Sequence, residues 1–256
     1  MESNNRSNNP LMKFFLIFNS FLLLAGASAG SLITRVYFIH GGKRIWLSGW
    51  LQTVAFPIIL IPLSISYMIR RKTQGSKNAK LVLMKPFLFY CASFIGVIFG
   101  GITYMYGYGT SKLPVSTGAL ICACQLAFTA GFAFIIVKQK FMPFSINCVV
   151  LLTVGAVVLA LNASTDRPKG ETKKDYIMGF LMMGLAAAVE GLVMPLIELA
   201  YEKANQSITY TLAMEFDFVL CLFATGFTTI GMLVNNDFKV HSLVFPLLQT
   251  LDYLFK

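Results

Sequence analysis

The chain has 256 residues, a formal charge of +10, 56% hydrophobic residues and only 12% charged ones, with a mean hydropathy of +0.69. A water-soluble domain carries about twice that share of charge, so composition excludes an ordinary soluble enzyme or binding module. The basic excess lies in short breaks between apolar stretches and marks topology, so no nucleic-acid partner is expected.

After a tail over 1–10, predicted membrane helices cover about 11–38, 45–69, 86–104, 115–137, 144–161, 177–201 and 209–234. Most reach the roughly 20 residues that a hydrocarbon layer demands. The expected class is an all-α polytopic membrane protein with the lipid bilayer as its surroundings. The first stretch imitates a signal peptide through Lys13 and the small segment Gly26-Ala27-Ser28-Ala29. Its apolar character continues through Leu32, Ile33, Val36 and Phe38, so a retained helix is expected. Pro57, Pro62 and Pro195 fall inside predicted helices and point to bent spans around a working interior.

The break from Arg70 to Lys80 holds Arg70, Arg71, Lys72, Lys77 and Lys80 without an acid, which assigns it to the cytoplasm. The N-terminus is then cytoplasmic, as are Lys138, Lys140 and Lys203, and the loop 163–176 lies outside. Lys43 and Arg44 oppose this bias. Sequons occur at Asn5, Asn162 and Asn205, and none is expected to carry a functional glycan. All five cysteines lie within apolar stretches without metal-ligand spacing, so a packing role is expected. With two histidines near segment ends, no phosphate loop and no nucleophile beside a base, neither an enzyme nor a cofactor is indicated. A channel is less favoured than a carrier, because no rings of like charge are evident.

Ionisable groups in the bilayer are costly and therefore candidate functional residues. They are Glu190, Glu198, Glu215, Asp217, Arg35 and Lys85. Lys85 and Arg35 can snorkel to the interface. Glu190 and Glu215 are deeper, and a carboxylate there can bind a ligand amine, carry a proton or pair with another helix. In the fourth stretch Ile121, Cys122, Gln125, Phe128, Thr129 and Phe132 recur at helical spacing along one face. An amide, a hydroxyl and two aromatic rings suit a planar heterocycle, which needs stacking faces and edge hydrogen bonds. The alternative is that the Phe rings face lipid or core while Gln125 joins two helices. Trp50 and Gln52 lie two positions apart and cannot share a helix face, whereas Trp46, Trp50 and Thr53 can. Trp46 reads most simply as an interfacial anchor.

Several ordered words carry a resemblance: Arg35-Val36-Tyr37-Phe38, Gly41-Gly42-Lys43-Arg44, Trp50-Leu51-Gln52-Thr53, Tyr106-Gly107-Tyr108-Gly109, Leu113-Pro114-Val115-Ser116-Thr117, Gln125-Leu126-Ala127-Phe128 and Val137-Lys138-Gln139-Lys140-Phe141. Collinear over about 14–239, they closely resemble the plant purine permeases. The resemblance implies a drug/metabolite transporter-type bundle that moves adenine, cytokinins and related purine derivatives, with protons as coupling ion by analogy. Such a carrier has two inverted five-helix repeats with a central cavity between them. On this expectation 11–162 is a complete first repeat, 177–234 holds the first two helices of the second, and 235–256 is an atypical tail.

Trp50 and Phe128 are then expected to stack on the substrate and Gln52 and Gln125 to bond its edge, with Thr129 of the same stripe beside them. Glu215 is expected to recognise a proton or amine. Glu190 stands where the family more often has an uncharged, commonly aromatic residue, and Asp217 where glutamine is common. Both are candidate proton or selectivity residues. The plasma membrane is the favoured location, and nothing in the sequence specifies an oligomeric state. A second expectation is a truncated, non-transporting membrane protein that acts only by associating with a full-length carrier.

Overall fold

A computed structural model describes residues 10–74, 82–139, 142–162 and 172–237. The first nine residues, the later basic residues Lys77 and Lys80, Lys140, positions 163–171 of the outer loop and the tail from 238 onward lie outside the described residues. All regular elements among the described residues are helical. Among the described residues six helical spans are long and apolar enough to cross a membrane: Ser20–Ile39, Ile45–Lys72, Pro86–Lys112, Val115–Val137, Lys173–Lys203 and Tyr210–Val234. The protein is a multi-pass membrane protein.

The chain divides into two compact units, one containing residues 1–42 and the other 43–240. In the first unit, helix α1 covers Pro10–Ile39. It stops where Gly41 turns to φ +90°. The Gly42 N–H then bonds the Tyr37 carbonyl at 3.0 Å and the Gly41 N–H bonds that of Phe38 at 3.2 Å. This paired closure satisfies carbonyls that the helix end would otherwise orphan.

The second unit begins with α2, Ile45–Thr53, a 3-10 turn Phe56–Ile59 containing Pro57, and α3, Leu60–Gln74. A single apolar run is thus a broken span. Arg71 and Lys72 occupy the last turn of α3, where cations face the negative end of the helix dipole. Helix α4, Pro86–Lys112, opens with proline at its first position, where the missing N–H is harmless. It runs two turns beyond the apolar stretch read from the sequence. Helix α5, Val115–Phe132, passes into a π-helical turn, Ala133–Val137, and closes on Lys138 at φ 53°. Helix α6 covers Pro143–Asn162 and is predominantly apolar.

Helix α7, Lys173–Lys203, starts with the Thr172 hydroxyl accepting from the Asp175 N–H at 3.2 Å. Helix α8 covers Tyr210–Val234. Asn205 and Asn236 stop α7 and α8 at φ 47° and 56°. The bonds repeat the α1 pattern, from Gln206 to Tyr201 and from Asp237 to Met232. Asparagine tolerates this left-handed conformation better than other residues with a side chain beyond Cα.

Helix α4 is the centre of the second unit and packs against α2, α7 and α8. Its buried stripe Leu88, Ala92, Ile95 and Ile102 meets Ala186 and Val193 of α7 and Leu212, Phe216 and Leu220 of α8. Lipid tails are as apolar as these side chains, so close packing rather than water exclusion holds membrane helices together. Glycine permits it here. A Cβ on Gly96 would lie 2.5 Å from the Leu220 carbonyl oxygen, and one on Gly100 would lie 3.0 Å from that of Ala224. At the far end of α8, the Arg44 guanidinium donates to the Asp237 carbonyl oxygen and brings the start of α2 beside it.

Candidate functional site

The polar groups of the second unit gather at two helix junctions that share α4. At the first, between α2, α4 and α8, the Trp50 indole N–H donates to the Thr229 hydroxyl at 3.1 Å. That hydroxyl donates in turn to the Thr225 carbonyl at 2.6 Å. Trp46 stacks on Tyr104 with ring centres 4.1 Å apart and lies against Gly231. It is therefore packed between α4 and α8 at the start of α2. Gln52 is exposed and donates to the Ser48 carbonyl of its own helix at 3.3 Å.

Glu215, on α8, has a different setting. It is 5% exposed. Its Oε2 accepts from the N–H groups of Leu83 and Met84, each at 2.9 Å, and its Oε1 accepts from Leu83 at 3.1 Å. These amides precede the first turn of α4, where helical partners are lacking and the dipole favours negative charge. The Gln206 side chain completes the clasp, its amide donating to the Leu83 carbonyl at 3.0 Å and its oxygen accepting from the Lys85 N–H at 3.3 Å. The Lys85 ammonium does not simply snorkel. It bonds the Ala204 carbonyl at 2.5 Å and that of Asn205 at 3.4 Å, which caps the end of α7. The buried charge at this clasp, Glu215, is met by backbone groups, as low-dielectric surroundings require.

The second junction lies between α4, α5 and α7. Helices α5 and α7 touch backbone to backbone at Gly191, where a Cβ would be 2.8 Å from the Phe128 Cβ, 3.0 Å from the Thr129 nitrogen and 3.2 Å from the Gln125 carbonyl oxygen. Glu190 precedes that glycine and is half-buried. The Glu190 carboxylate and the Cys122 thiol are neighbours of the Tyr106 hydroxyl. Neither meets it at hydrogen-bonding geometry, and the hydroxyl is buried with no partner. Cys122 and Gln125 share one face of α5, and the Thr129 hydroxyl donates to the Gln125 carbonyl at 2.9 Å. Phe128 turns outward and is 41% exposed.

The structure therefore gathers Gln125, Thr129 and Glu190 from the sequence candidates. Trp50 belongs to the α2–α4–α8 junction and Glu215 to the clasp at the start of α4. Asp217 is exposed and accepts only a long contact, 3.9 Å, from the Cys221 thiol on its own helix. Tyr106 was missed as a candidate. Its signal was available, because it continues the buried stripe Leu88, Ile95 and Ile102 at helical spacing and places a hydroxyl on an apolar face.

Donor, acceptor and amide groups at one junction can hold a small polar heterocycle between helices. Comparison with known proteins agrees in kind. Residues 14–243 match the family model described as purine nucleobase transmembrane transport. The chain is similar to Purine permease 3 of Arabidopsis thaliana, 49% identical over 230 residues that make up 90% of this chain and 66% of the relative. For Purine permease 2 of the same plant the figures are 48% over 231 residues, 90% and 64%. For Probable purine permease 11 they are 34% over 223 residues, 86% and 57%. The chain thus spans just under two thirds of the length of the two more similar of these relatives. A match over most of its length to a transporter family, not an enzyme family, shows that the chain belongs to the purine nucleobase transmembrane transport family.

Proposed function

We propose that this protein carries purine nucleobases and related purine derivatives across a membrane. The observation that carries the reading is the α4–α5–α7 junction, where Tyr106, Gln125, Thr129 and Glu190 bring polar groups between apolar helices in a member of this family. Gln125 bonds the substrate edge, with Thr129 beside it and Phe128 at the margin. Trp50 lines the α2–α4–α8 side, where the broken span Ile45–Lys72 gives the irregular backbone often found beside a carrier's binding site. Gln52 and Asp217 contribute from exposed positions, and Glu215 acts through the clasp that seats α4.

Proton coupling completes the proposal, with Glu190 as the carboxylate nearest the site. The N-terminus is assigned to the cytoplasm and the plasma membrane is the proposed location. Two observations support the orientation. Arg71, Lys72, Lys138 and Lys203 fall at helix ends that share one side if successive spans alternate. The clasp also brings the start of α4 and the end of α7 together, as alternation requires.

Uptake of radiolabelled adenine into yeast deficient in purine import tests the reading. Saturable uptake by the 256-residue chain, reduced at least about tenfold by Gln125→Ala, is the expected result. No uptake from protein delivered to the membrane would overturn transport by this chain.

A further inference from the structure

The Tyr106 hydroxyl is buried on α4 without a partner, and the Glu190 carboxylate of α7 lies beside it. An unsatisfied buried hydroxyl is costly, and a carboxylate among apolar helices more so. Their chemistry is complementary to one kind of ligand edge. The phenol can donate, whereas the ionised carboxylate can only accept. A group that answers both presents a hydrogen-bond acceptor next to a donor.

We infer that Tyr106 and Glu190 form a specificity-determining pair that reads the amidine edge of an aminopurine. The Tyr106 hydroxyl donates to a ring nitrogen, and the Glu190 carboxylate accepts from the adjoining exocyclic amine. This rests on the purine-carrier reading and adds to it the part of the substrate that is read and the residues that read it. Their position fits. Gly191, directly after Glu190, holds α7 against the backbone of Gln125 and Thr129, so Glu190 stands at the level of these residues along α5. The Cys122 thiol, the third neighbour, is too weak a donor or acceptor to replace the ligand. Glu215 does not compete for this role, since both its oxygens are occupied by backbone amides.

The test measures binding of tritiated adenine to the purified full chain, with unlabelled adenine and unsubstituted purine as competitors, beside thermal unfolding without ligand. Purine keeps the ring nitrogen and lacks the amine. Tyr106→Phe should weaken both ligands alike by about tenfold, the value of one good hydrogen bond. Glu190→Leu should weaken adenine by about tenfold and leave purine unchanged. Glu190→Gln should fall between, because its amide oxygen still accepts.

The ligand-free stability of Tyr106→Phe should equal or exceed wild type, since the lost hydroxyl had no partner. A clear loss would mean an internal partner and overturn the inference. So would wild-type ligand ranking in Glu190→Leu, or unchanged adenine affinity in Tyr106→Phe, while the purine-carrier reading would stand. Failure of the wild-type chain to bind either ligand would overturn both.

Discussion

Glu215 and Glu190 are carboxylates on neighbouring helices of one bundle, and their surroundings differ completely. Glu215 is closed in by the N–H groups of Leu83 and Met84 and needs nothing more. Glu190 lies beside a buried hydroxyl that has no partner. A satisfied carboxylate in a membrane protein serves architecture, whereas a buried hydroxyl without a partner marks the place proposed here for a ligand. Depth in the bilayer does not separate the two roles. Hydrogen-bond bookkeeping does.

The contrast can be broken most forcefully at Glu215. Glu215→Ala strands two backbone donors at the start of α4, and a loss of about 3 kcal/mol or more is expected, read as a large drop in the unfolding temperature of purified protein. Gly191→Leu comes next, because its Cβ would be 2.8 Å from the Phe128 Cβ and must push α5 from α7. A cost of about 1–3 kcal/mol and weakened adenine binding are expected from the same preparation. If only stability fell, the α5–α7 contact would not be part of the site.

Trp50→Phe should cost less. It removes the indole donor to Thr229 and keeps most of the ring, so about 1 kcal/mol is expected by thermal unfolding. Gln52→Ala is the smallest change, since the side chain is exposed and bonds only its own helix. Its stability should stay within about 0.5 kcal/mol of wild type. Reduced adenine uptake at that unchanged stability is expected from its contribution to the site, and wild-type uptake would remove Gln52 from it.

The all-helical membrane class was legible in the sequence because a bilayer leaves few options for a chain of long apolar runs. Local detail was less so. The break after Thr53 hides in Val54 and Ala55, residues as apolar as their neighbours, with Pro57 as its one local sign. The end of α4 was obscured because Tyr104 to Lys112 mixes aromatic, glycine and hydroxyl residues, which hydropathy reads as a boundary although they form two further helical turns.

The site divided along the same line. Gln125 and Thr129 were placed together by spacing along one helix, a local property. The setting of Glu215 depends on amides more than 130 positions earlier in the chain, as the separations of 132 and 131 residues to Leu83 and Met84 show. No periodicity records such a pairing. Tyr106 was quoted as part of a motif, but only the packing of α4 against α5 and α7 shows that its hydroxyl is buried and unanswered.

The most direct measurement compares Glu215→Gln and Glu190→Gln by thermal unfolding of the purified chain, each with and without saturating adenine. Glu215→Gln should unfold at a clearly lower temperature without ligand and keep the wild-type increment on adding adenine. Glu190→Gln should keep the ligand-free temperature and show a smaller increment than wild type. The reverse pattern, a stable Glu215→Gln that no longer responds to adenine and a destabilised Glu190→Gln that still does, would contradict the division of the two carboxylates into architecture and ligand site.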